Sequence, residues 1–240
     1  SFKMGRRSLL RLTRLTGREW LARGYAQSAG GARALTTKDI GRFYEVEKAQ
    51  AEQLGFQQYL PNHLRKQIQS LDECVLMARH PLIELTGVLD AVHTAIPAIK
   101  TVLWGPFGTG KSVTLAQALH CALLKEFVMI YLPSAMDLTR KVREVEMSSV
   151  VPSRINDPHN AVAILQRLKQ QNAHIWKRLS ELPVSRSYEW SKVERTDEGG
   201  NLGEMIELGI SSPCWPLTAW AECSASCVFM HRPAGSVFCW

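Results

Sequence analysis

The chain has 240 residues, 45% of them hydrophobic, enough for one medium domain with extensions and a packed core. Its net charge of +7 is unevenly spread: residues 1–38 carry nine Lys and Arg against Glu19 alone, and the remainder sums to −1. No apolar run approaches the roughly 20 residues of a membrane-spanning helix, and neither a membrane nor DNA is an expected partner.

Taken in chain order, the amino terminus comes first. Arg6, Arg7, Arg11, Arg14 and Arg18 alternate with Leu9, Leu10, Leu12, Leu15 and Trp20, a basic amphipathic pattern poor in acids. That pattern marks a mitochondrial transit peptide, and Arg23-Gly24-Tyr25-Ala26 resembles a matrix-protease cleavage site. The competing reading is a retained basic arm that binds RNA. Residues 39–96 then form an extension with helices. The polar, Gly-dotted stretch from 26 to 62 is expected to lie extended over a surface. From residue 63 to 78, Leu64, Ile68, Leu71, Val75 and Ala78 share one helical face, and Pro81 opens a second helix carrying Leu82, Leu85, Val88, Leu89 and Val92. Both helices are expected to pack on a sheet entered at Lys100.

Residues 97–212 carry the chemistry. Lys100-Thr101-Val102-Leu103-Trp104 reads as a short strand, and Val113, Ala116, Leu119 and Leu123 recur at helical spacing. Between them lie Gly105, Pro106, Phe107, Gly108, Thr109, Gly110, Lys111 and Ser112, a complete Gly-x-x-x-x-Gly-Lys-Ser phosphate-binding loop. The glycines let the backbone aim successive N–H groups at phosphate oxygens, and the helix adds its positive end. Lys111 supplies an ammonium for the β- and γ-phosphates and Ser112 a hydroxyl for a bridging Mg²⁺. Pro106 and Phe107 read as loop stiffening and packing. The fold class expected is α/β, a partial P-loop NTPase core of AAA-like type with flanking helices and an incomplete sheet.

Hydrolysis needs more: an apolar strand ending in a metal-binding acid and a group that orients water. The best later strand, residues 127–132, runs into Pro133-Ser134, and Asp137 reads as an ordinary helix-start acid before it reads as a metal ligand. The chain therefore reads as a binder without recognisable catalytic residues. Asp157-Pro158 starts an amphipathic helix that Leu165, Leu168, Ile175, Leu179 and Leu182 continue to about Pro183. Its Arg167, Lys169, Lys177 and Arg178 read as a solvated face, with RNA phosphate contact as the alternative. Residues 184–212 are polar, with a turn at Glu198-Gly199-Gly200-Asn201.

The tail, 213–240, holds four of the six cysteines together with Trp215, Trp220 and Trp240. A zinc site fits the spacings poorly, and a disulfide-dense tail does not suit a matrix protein. An out-of-frame or intron-derived ending fits better, because the segment is charged only at Glu222 and Arg232 and lacks periodicity.

The loop, the transit-like start, Glu73-Cys74-Val75-Leu76-Met77-Ala78-Arg79, Pro97-Ala98-Ile99, Ile130-Tyr131-Leu132-Pro133 and Tyr188-Glu189-Trp190-Ser191-Lys192 together resemble the death-associated protein 3 family over about residues 55–210. That resemblance implies GTP or GDP with Mg²⁺ in an AAA-like core at 105–112. It also implies a place in the mitochondrial matrix on the small ribosomal subunit, with ribosomal RNA and ribosomal proteins as partners, and a link to apoptosis. The alternatives are an AAA-type matrix ATPase that remodels a partner, and an apoptotic adaptor acting by protein contact.

Overall fold

A computed structural model describes residues 35–92, 99–132, 134, 140, 142–147, 155–189, 195–211 and 237–239. The amino-terminal basic segment, Asp137 and most of the Cys/Trp tail lie outside them. Of the stretch 26–62, the described part from residue 35 on is folded and not draped over a surface. It forms β1 (Phe43–Val46), α1 (Lys48–Leu54) and α2 (Phe56–Tyr59), and Tyr44, Val46, Leu54, Phe56 and Leu60 are buried. Period-2 burial in a four-residue segment is a weak signal beside the Gly and polar residues that surround it.

The helix expected across 63–78 ends early. α3 (Asn62–Leu71) stops where Asp72 adopts a left-handed φ of 54°, and the chain then turns into β2 (Cys74–Met77). β1 and β2 pair antiparallel with Phe43 opposite Met77 and Val46 opposite Cys74. Cys74, Leu76 and Ala78 point inward, so the apolar residues there follow a period of two. Val75 and Ala78 satisfy the helical spacing as well, and only the ladder with β1 decides between the two. α4 (His80–Ala91) begins as expected, with Pro81 in its first turn and Leu82, Leu85 and Leu89 buried.

α5 (Lys111–Leu124) follows the glycine-rich loop, packs against α4 and leads to β3 (Val128–Ile130). β3 partitions the interior. Met129, with Tyr131 just beyond, faces a core built from β1, α1, α2, β2, α4 and α5, whereas Val128 and Ile130 face a second core with Leu165, Leu168, Leu179, Leu202, Met205 and Ile206. Each fully buried Leu, Ile or Met contributes roughly 1.5–3 kcal/mol. A strand apolar on both faces reads as a continuous hydrophobic run, which is why it was visible in the sequence.

After the short antiparallel pair β4 (Glu146–Met147) and β5 (Ile155–Asn156), α6 (Pro158–Gln171) starts where Asp157 accepts a hydrogen bond from the Asn160 amide at 3.1 Å. This helix does not run to Pro183. Asn172 is fully buried and turns its side chain onto β3: Oδ1 accepts from the Met129 amide at 2.8 Å, and Nδ2 donates to Met129 O at 2.7 Å and Leu168 O at 2.8 Å. A 3₁₀ turn, Ala173–Ile175, and α7 (Trp176–Ser180) follow. One amide side chain thus caps one edge of β3 as a neighbouring strand would.

β6 (Tyr188–Glu189) and β7 (Arg195–Thr196) form another antiparallel pair, and the expected turn at Glu198 leads to α8 (Leu202–Ser211), a helix the sequence did not announce. α8 seats against α7 at Gly203, where a Cβ would lie 2.5 Å from that of Ser180. The other edge of β3 pairs in parallel with β8 (Val237–Cys239), so three residues of the Cys/Trp tail enter the fold as a strand. The molecule is mixed α/β, with two-stranded pairings among the described residues.

The first core contains one polar cluster. The rings of Tyr44 and His120 stack 6.1 Å apart at 5°, and His120 Nε2 donates to Gln50 Oε1 at 2.8 Å. His120 Nδ1 is buried without a partner. Burial drives the His120 pKa down to about 4.

Candidate phosphate-binding site

Residues 105–112 make a tight loop ahead of α5, and the local backbone explains the residue types. Gly108 and Gly110 have φ of 84° and 81°, in the left-handed region that glycine occupies without strain. Thr109 Oγ1 donates to Pro106 O at 3.0 Å and closes the turn. Lys111 folds back across the loop mouth, its Nζ donating to Gly105 O at 2.9 Å and Pro106 O at 2.7 Å. The first amide bonded back along the helix is that of Thr114, to Gly110 O at 3.0 Å. The amides of Lys111, Ser112 and Val113 are therefore the orphan donors of a helix start, at its positive end.

α5 is anchored behind the loop by the buried Ala116, Ala118, Leu119, Cys121 and Ala122, so its first turn is held in place. Ser112 is exposed beside Lys111. From behind, the Arg79 guanidinium reaches the loop: Nη1 donates to Thr109 O at 2.7 Å, and Nη2 to Gly110 O at 2.9 Å and Thr114 Oγ1 at 2.6 Å.

Two expectations around the loop are corrected. Residues 99–106 form no strand: Val102 is 79% and Trp104 93% exposed. A β-forming run needs a neighbouring strand to satisfy its backbone, and among the described residues none pairs with it. Phe107 does not pack either; its side chain stands fully exposed at the loop tip.

The donors fit a polyphosphate. Helix-start amides, one ammonium and one hydroxyl lie on consecutive residues, and phosphate oxygens would offer Lys111 charged acceptors in place of two neutral carbonyls. For Mg²⁺ the chain offers the Ser112 hydroxyl. Among the described residues no group of three His, Cys, Asp or Glu side chains could hold a metal, so phosphate oxygens and water would complete the shell of that ion.

The family model for mitochondrial ribosomal death-associated protein 3 matches residues 76–220, a span from β2 through the loop and into the first residues of the tail. The chain belongs to that family. It is 32% identical over 152 residues to the small ribosomal subunit protein mS29 of Mus musculus, covering 63% of this chain and 38% of that protein. The mS29 of Bos taurus is 29% identical over 171 residues, covering 71% and 42%. The Neurospora crassa mS29 is 28% identical over 105 residues, covering 44% and 22%. The chain thus spans about two fifths of the length of its mammalian relatives. Family membership agrees with the mitochondrial location expected from the sequence.

The basic residues of α6 and α7 engage the protein's own surface. Arg167 donates to Gln58 Oε1 at 3.2 Å and lies 5.9 Å from the Tyr59 ring centroid. Lys169 pairs with Glu207 and sits over Trp176, and Arg178 pairs with Glu126 at 3.3 Å. They form the solvated face expected of them, laced with ion pairs.

The sequence reading brought together Lys111, Ser112 and the glycines, and missed Arg79 and Asn172 as organisers. Arg79 lies 31 residues from Gly110, and Asn172 lies 43 from Met129, separations at which no local pattern signals contact.

Proposed function

We propose that this chain is a nucleotide-binding, structural component of the mitochondrial small ribosomal subunit, holding GTP or GDP with Mg²⁺ at residues 105–112. The loop geometry carries the reading: left-handed glycines at 108 and 110, Lys111 across the mouth, and a well-anchored helix start behind. Family membership supports the ribosomal setting, with ribosomal RNA and ribosomal proteins as partners in mitochondrial translation. The family's description as death-associated extends the proposal to a role in apoptosis through protein contacts.

Nucleotide acts here as a folding ligand and not as fuel. Among the described residues that follow β3, Tyr131, Leu132 and Ser134, none is an acid that could hold a metal. Lys111 would exchange its two carbonyls for phosphate oxygens, and the bound ligand would stiffen the loop that joins the exposed segment at 99–104 to α5. Ligand at one hundred times its dissociation constant would raise stability by about 2.7 kcal/mol. Calorimetric titration of the full chain with GTP and Mg²⁺, beside Lys111→Ala, tests the proposal. Binding that disappears in the variant supports it; equal affinity in both, or rapid phosphate release by the parent chain, refutes it.

A further inference from the structure

The geometry points to Arg79 as the positioning residue of the phosphate loop, a guanidinium that orients the loop's donors from behind without touching the ligand. The inference rests on the nucleotide-binding reading and deepens it.

A peptide unit is planar and trans, so fixing a carbonyl fixes the N–H on the other side of the same bond. Thr109 O shares its plane with the Gly110 amide, and Gly110 O shares its plane with the Lys111 amide. Arg79 holds both carbonyls, at 2.7 and 2.9 Å, and so turns two consecutive amides away from itself. Those amides face the side of the loop opposite the guanidinium, where an anion would be received. Without the clamp, the Thr109–Gly110 peptide plane is free to flip and present an oxygen to a phosphate, whereas the Gly110–Lys111 plane keeps the Thr114 amide and hydroxyl on its oxygen.

Three further features match this role. Thr114 is 1% exposed, and its hydroxyl accepts from Arg79 at 2.6 Å while lying 3.2 Å from Gly110 O, so the guanidinium is held by the helix as well as by the loop. A Cβ on Gly110 would lie 2.6 Å from Arg79 Nη2, so glycine is required at 110 for the guanidinium's approach as well as for its φ of 81°. Arg79 is also rooted in a fixed place. It directly precedes α4, and its neighbour Ala78 exchanges backbone hydrogen bonds with Gly41 and Arg42 at 2.9 and 2.8 Å. The loop is thereby tied to the β1–β2 pair. Lysine cannot do the same work, because one ammonium lacks the planar fork that reaches three acceptors at once.

The test uses the full chain with Mg²⁺ and two probes, GTP and inorganic tripolyphosphate. Arg79→Ala is expected to weaken both by the same factor, about tenfold or more, because the lesion lies at the phosphate end. Arg79→Lys recovers only part of the loss. Added guanidinium ion at low millimolar concentration restores affinity to Arg79→Ala and not to Lys111→Ala, a rescue that a merely structural lesion would not show. Wild-type affinity in Arg79→Ala overturns the positioning role while leaving nucleotide binding intact. So does a loss without guanidinium rescue that is accompanied by a lower ligand-free melting temperature. Absence of binding by the parent chain, or full binding by Lys111→Ala, removes the nucleotide reading itself and this inference with it.

Discussion

Acidification should weaken the fold through His120 in a way that can be isolated. Its ring lies in the first core, with Nε2 hydrogen-bonded to Gln50 and Nδ1 buried without a partner. Protonating Nδ1 would place a charge among Tyr44, Gln50 and Gln117, none of which can neutralise it, and burial accordingly pushes the pKa from 6.5 to about 4. A histidine with a depressed folded pKa binds fewer protons in the native state than in the unfolded one. Its contribution is therefore fully present above pH 6.5, declines as pH falls, and is exhausted near pH 4. At 1.36 kcal/mol per unit, the loss reaches about 2 kcal/mol at pH 5 and about 3 kcal/mol by pH 4. His120→Gln keeps a donor for Gln50 and cannot titrate. Urea unfolding of parent and variant at several pH values between 7.5 and 4 removes the contribution of the carboxylates common to both. The stability difference should shift by about 2 kcal/mol between pH 7.5 and 5 in favour of the variant. Parallel pH profiles would refute the buried, neutral histidine.

Asn172→Ala strips both partners from the Met129 backbone in the buried interior and should destabilise by about 3 kcal/mol in the same assay. Asp157→Ala removes the side-chain cap of α6 and should lower stability by about 1 kcal/mol, visible as a small fall in urea midpoint with an unchanged slope. Gly203→Ala forces α8 away from Ser180, where the new Cβ would sit 2.5 Å from its counterpart, and should cost about 1–3 kcal/mol by thermal denaturation. Removing Mg²⁺ with a chelator should weaken GTP binding in titration calorimetry, because Ser112 then shares no ion with the phosphates.

The sequence by itself determined the features whose physics is local. The glycine-rich loop at 105–112 needs left-handed backbone at fixed positions, and glycines at 108 and 110 supply it cheaply. The starts of α4 and α6 follow from Pro81 and Asp157-Pro158, and β3 follows from an apolar run too dense for anything but a strand buried on both faces. Tertiary structure alone decided what depends on a partner distant in the chain. Whether Val75 and Ala78 continue a helix or leave it was settled by β1, and whether Val102 and Trp104 become a strand turns on a neighbour that the described residues do not provide. Asn172 breaks its helix because an unpaired β3 edge is within reach, and Arg79 reaches the loop because β2 and α4 deliver it there. Hydrogen-bonding groups are satisfied by whatever lies near in space, and nearness across dozens of residues is set by the packed fold.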